Sequence, residues 1–129
     1  MSLTDRYHRL KFSILTWGLG LIMKIQRRRY ADIRQAFAEH DMVAQIKLRD
    51  ESAGRHYIFK DGKVTSRSGI HPQPDVVMAF QDAGLAGQVL RPNRDQLEFL
   101  SAAKTFKLEV SGRDDLVTWF TNTLGCLLR

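Results

Sequence analysis

The 129-residue chain holds one cysteine, Cys126, and only three prolines. Without a second thiol, an internal disulfide, a zinc ribbon, a CxxC redox pair and iron–sulfur ligation are all excluded. Long apolar runs are missing too: Phe12–Met23 is twelve residues between Lys11 and Lys24, and a spanning helix needs about 20. Acids are scarce at the N-terminal end, where Arg6, Arg9, Lys11, Lys24, Arg27, Arg28 and Arg29 face Asp5 alone. This stretch carries the whole formal charge of +6, and residues 31–129 balance at thirteen of each sign. A balanced surface has no phosphate-tracking stripe, so nucleic acid is not an expected partner. Repeats and low-complexity segments are absent as well.

What is present is enough apolar material for one domain. At 43% hydrophobic residues the chain is not disordered, and this length buries about two thirds of its unfolded surface without a metal.

Residues 1–28 read as a basic, apolar helical extension and 29–129 as the folded domain. On a helix, Ser13, Thr16, Gly20 and Lys24 form a narrow small or polar stripe. Phe12, Ile14, Leu15, Trp17, Leu19, Leu21, Ile22 and Ile25 cover most of the rest, so the helix is expected to be buried. Its own core, a partner subunit and the headgroup region of an anionic membrane are the three destinations. In the last case Lys11, Trp17, Lys24, Arg27, Arg28 and Arg29 are the contact residues. A secretory signal peptide is the competing reading, but Lys24-Ile-Gln-Arg-Arg-Arg29 stands where a small-x-small cleavage site belongs. Gly18-Leu-Gly20 has neither a third glycine nor a preceding strand, so it is no nucleotide fingerprint.

From Tyr30 the spacing of Ile33 and Phe37 predicts an amphipathic helix over 29–40. Period two follows in Met42–Arg49, with Ala44, Ile46 and Leu48 on one face, and Asp50–Gly54 is a turn. Arg55–Lys60 and Lys63–Ser68 flank Asp61-Gly62, a type I′ hairpin signal. Asp75–Phe80 is a buried strand and Gln81–Leu90 a short helix. Arg91-Pro92 ends that helix, and Asn93 caps another through about Ala103. Phe106–Val110 alternates as a strand, Ser111-Gly112 turns, and Asp114–Leu127 is an amphipathic helix. The order predicts an α+β fold with a mostly antiparallel five-stranded sheet covered by helices.

No catalytic constellation emerges. His8, His40, His56 and His71 lack metal-ligand spacing. His71 with Asp75 is the best acid–base pair, and turn chemistry accounts for both. Cys126 reads as a small core or interface residue. No metal, cofactor or enzymatic activity is expected. The inward faces supply Ile46, Leu48, Tyr57, Phe59, Met78, Phe80, Leu85, Leu90, Leu97, Leu100, Phe106, Leu108, Leu116, Trp119, Phe120 and Leu124. These fill a closed core or line an apolar cavity, and the sequence leaves both open.

Val43-Ala-Gln-Ile-Lys-Leu48, Tyr57-Ile-Phe-Lys-Asp-Gly-Lys-Val64, Pro74-Asp-Val-Val-Met-Ala-Phe80 and Phe106-Lys-Leu-Glu-Val-Ser-Gly-Arg-Asp-Asp-Leu116 resemble, in order and spacing, the sterol carrier protein 2 (SCP2-like) lipid-binding domains. The resemblance covers roughly residues 30–124. It implies an α+β domain whose interior is a hydrophobic tunnel for a fatty acyl, sterol or isoprenoid (quinone) chain, bound without chemistry. On this reading the tunnel residues are those inward positions other than Tyr57 and Phe59, with Trp119, Phe120 and Leu124 on a helix that lids it. Departures are Ala103-Lys104 where the family has a glycine, an end at Leu127-Leu-Arg129 that is no peroxisomal address, and residues 1–28 outside the pattern. Similar domains are fused to alkylsulfatases and oxidoreductases, and a related branch serves ubiquinone biosynthesis. The alternative is therefore an accessory substrate-handling or oligomerisation domain of a larger enzyme, the apolar end being compatible with a longer parent protein. The expected location is cytoplasmic, peripheral to a membrane.

Overall fold

A computed structural model describes residues 3–90, 105 and 107–128. Helix α1 (Leu3–Arg29) runs without interruption, as expected of a stretch with no proline and many straight-chain residues. It stops at Tyr30, whose extended backbone (φ −122°, ψ 123°) lets α2 (Ala31–Ala38) start in a new direction. Arg34 Nη1 donates to the exposed Arg27 and Arg28 carbonyls at 3.0 Å each, satisfying two groups that the end of α1 leaves open.

Strands β1 (Met42–Leu48), β2 (Gly54–Lys60), β3 (Lys63–Ser68) and β4 (Val76–Phe80) follow. Then come α3 (Ala83–Val89), β5 (Leu108–Gly112) and α4 (Asp114–Leu127). The sheet order is β3-β2-β1-β4-β5, antiparallel at every pairing except β1 with β4. This is the predicted α+β architecture. Asp61 (φ 54°) and Gly62 (φ 76°) both adopt the left-handed backbone that the two-residue hairpin turn requires.

The parallel pair exists because the connection after β3 crosses back over the face opposite the core. Gln45 holds it there. Its side chain, 1% exposed, donates to the Ile46, Arg55 and Gly69 carbonyls at 3.2 Å each and accepts from the His71 amide at 2.7 Å.

Four expectations need adjustment. The third helix spans Ala83–Val89 rather than 81–90, because Asp82 caps it by accepting from the Leu85 amide at 2.8 Å. Ser111-Gly112 is the end of β5 and not a turn, paired with Val77 and Val76. Gly112 sits at φ +135°, and a Cβ there would collide with the Asp75 carbonyl oxygen, so the close approach needs glycine. Cys126 is exposed, which removes the core half of its reading and leaves the interface half. The small or polar stripe of α1 does not oppose a buried apolar surface: Thr16 and Gly20 belong to the buried face, with Phe12, Leu19 and Met23. The helix expected after Asn93, and the side chains Leu97, Leu100 and Phe106, lie outside the described residues.

Candidate functional site

The inward faces of β1, β4 and β5 meet the inner sides of α1, α2 and α4 in one apolar interior. Ten of the predicted tunnel residues gather there: Ile46, Leu48, Met78, Phe80, Leu90, Leu108, Leu116, Trp119, Phe120 and Leu124. Leu85 packs against the group from its edge. At the α2–α4 end the interior is aromatic. The Phe59 ring meets Phe37 and Trp119 edge to face at 5.2 Å, and Phe120 at 6.4 Å. Trp119 Nε1 donates to the Ala36 carbonyl at 3.1 Å, which gives the one polar atom of the ring a partner.

Helix α1 closes the interior with half of its circumference. Phe12 and Met23 are fully buried, and Gly20 lets the helix approach so closely that an added Cβ would lie 2.8 Å from Ser66 Oγ. Tyr57 crosses this contact and donates its hydroxyl to the Thr16 carbonyl at 2.6 Å. Burial raises the Tyr57 pKa well above its ordinary value, against a smaller lowering by Arg55.

The other half of α1 faces outward and is also apolar. Leu3, Tyr7, Leu10, Ile14, Trp17, Leu21 and Ile25 recur every three or four residues and are all exposed, Ile14 by 58% and Trp17 by 53%. Arg6, Lys11, Lys24, Arg28 and Arg29 are exposed around them. Of the expected contact residues, Arg27 is turned away, its Nε donating to the Gly62 carbonyl at 2.6 Å. No helix among the described residues is long and apolar enough to cross a membrane.

A surface cavity of about 610 Å³ opens between the start of α1, the β1–β2 turn and the start of α3. Thr4, His8, Arg9, Asp50, Ser52 and Asp82 form its walls, with Leu48 and Ala83 of the core as apolar lining. Among the described residues, Leu48 is the one predicted tunnel residue that lines it. The Asp50 carboxyl is held below its usual range by the Ser52 hydroxyl and amide and, less strongly, by Arg9. Sequence reasoning missed this site, since its walls come from three distant segments without a shared motif.

His71 and Asp75 are occupied by backbone. His71 Nδ1 accepts from the Gln73 amide at 3.0 Å, and Asp75 Oδ2 accepts from the Val43 amide at 2.7 Å. No group of three or more His, Cys, Asp or Glu side chains suited to a metal occurs among the described residues.

Comparison of the structure with solved ones places this arrangement. A protein described as "UbiJ-SCP2 Ubiquinone synthesis protein" superposes with a TM-score of 0.65 over 89% of this chain and 96% of its own, at 15% identity. The fold is that of the SCP2 domains. A crystal structure of sterol carrier protein 2 agrees, with a TM-score of 0.62 over 86% of this chain and 91% of its own at 13% identity. The inverting sec-alkylsulfatase Pisa1 from Pseudomonas sp. carries a similar unit, with a TM-score of 0.51 and 21% identity over 74% of this chain but only 14% of the enzyme. No family model and no curated protein sequence matches the chain. The SCP2-like fold is thus recognised through its structure, with its interior between the sheet and α1, α2 and α4.

Proposed function

We propose that this SCP2-like chain is a non-catalytic lipid-binding module that takes up one fatty acyl, sterol or isoprenoid chain between its sheet and helices. The outer face of α1 brings it to an anionic membrane. What supports the first part is the SCP2 fold together with the convergence of ten predicted tunnel residues on one apolar interior. What supports the second is the outer stripe of α1, where Tyr7, Ile14 and Trp17 stand exposed among Lys11, Lys24 and Arg28. An interfacial helix uses this combination: apolar side chains enter the headgroup boundary and flanking cations meet lipid phosphates.

The likeness to one part of an alkylsulfatase favours a second reading, an accessory domain that handles an apolar substrate for a larger enzyme. Vesicle flotation separates the two. The membrane reading expects binding to vesicles rich in phosphatidylglycerol that weakens with salt and with loss of the α1 cations. An accessory domain expects no vesicle binding, and that result removes the membrane part. Uptake of a fluorescent fatty acid by the same protein tests the lipid part separately.

A further inference from the structure

We infer that the cavity at the start of α1 is a binding site for a zwitterionic polar head, one carrying an ammonium and a phosphate a few bonds apart. The inference rests on the lipid-binding reading and names the end of the ligand that this reading leaves open. Charges of both signs face the cavity, Arg9 from α1 and Asp50 and Asp82 from the loops beyond β1 and β4. Arg9 favours the ionised form of Asp50, yet it closes no ion pair and donates no hydrogen bond among the described residues.

The carboxylates are fixed rather than neutralised. Asp50 uses Oδ1 for both bonds to Ser52, and Asp82 uses Oδ1 to cap α3, so each keeps Oδ2 for another partner.

These demands select the ligand. A simple anion meets two carboxylates, and a simple amine meets a guanidinium. A purely apolar chain meets three charges that it cannot pair. A phospho-amine head answers all of them, with its phosphate toward Arg9 and its ammonium toward Asp50 and Asp82. The volume is within the range of about 300–1,000 Å³ that small-molecule sites occupy. An adjoining cavity of about 380 Å³ shares Arg9 and Ser52 and adds Arg6, Leu10 and Ile70. Leu10 belongs to the outer stripe of α1, so this second cavity opens beside that stripe.

The test titrates the full chain calorimetrically with glycerophosphoethanolamine, glycerol phosphate and ethanolamine. Glycerophosphoethanolamine should bind at least about tenfold tighter than either half, and Arg9→Ala and Asp82→Asn should each cost about tenfold or more. Asn still caps a helix, so the second variant removes charge without removing the cap. Equal binding of glycerol phosphate, or indifference to both variants, overturns the assignment. Native mass spectrometry after incubation with phosphatidylethanolamine and glycerophosphoethanolamine together supports the site whichever is retained, and tells a membrane lipid from a free phospho-amine. Retention of neither overturns it. Uptake of palmitate alongside failed head binding overturns this site alone; failure of palmitate as well overturns the lipid reading beneath it.

Discussion

Helix α1 has two apolar faces that differ in what covers them. Phe12, Leu19 and Met23 are sealed against the sheet, while Ile14, Trp17 and Ile25 on the far side stay more than half exposed. The inner face is made by close approach: Gly20 against Ser66 and Thr16 under Tyr57. The outer face is ringed by cations. Large apolar side chains occur on both faces and do not separate them. What separates them is the close backbone approach at Gly20 on one side and the exposed cations beside the stripe on the other.

Substitutions sharpen the contrast. Phe12→Ala opens a hole in a sealed contact and should lower unfolding free energy by about 3–5 kcal/mol in a urea titration. Gly20→Ala thrusts a methyl at Ser66 and should cost about 1–3 kcal/mol, the lower end if Ser66 rotates away. Tyr57→Phe deletes the hydroxyl that reaches α1 and should cost about 1–2 kcal/mol.

Tyr57 also carries a pH signature. Its phenol ionises at a higher pH in the folded chain than in the unfolded one, because burial opposes the charge. The stability it contributes is therefore complete below about pH 10 and is lost as pH climbs above that value. Unfolding curves from pH 9 to 11 should fall less steeply for Tyr57→Phe than for the parent.

The smallest effect on stability belongs to the outer face. Ile14→Ser with Trp17→Ser should change unfolding free energy by no more than about 1 kcal/mol. The same pair should weaken binding to anionic vesicles at least about tenfold. A large loss of stability with unchanged vesicle binding would reverse the roles assigned to the two faces.

Much of this was legible in the sequence. Period two placed Ala44, Ile46 and Leu48 on the core face, and Asp61-Gly62 announced the hairpin, because both signals are local. The family resemblance named the fold. The division of α1 was not legible, since both faces are apolar and the deciding contact at Gly20 comes from Tyr57 and Ser66, far along the chain. Gln45 was readable as facing away from the core, but not as buried, because the segment that covers it carries no apolar pattern. The cavity was hidden for the same reason: His8, Asp50 and Asp82 meet only after the sheet has formed.

The central claim is that the space between sheet and helices takes an apolar chain, and native mass spectrometry of the purified chain with extraction of whatever accompanies it addresses that directly. The account predicts a lipid or quinone at one per protein, exchangeable for added palmitate. A ligand-free protein that also refuses added palmitate would contradict it.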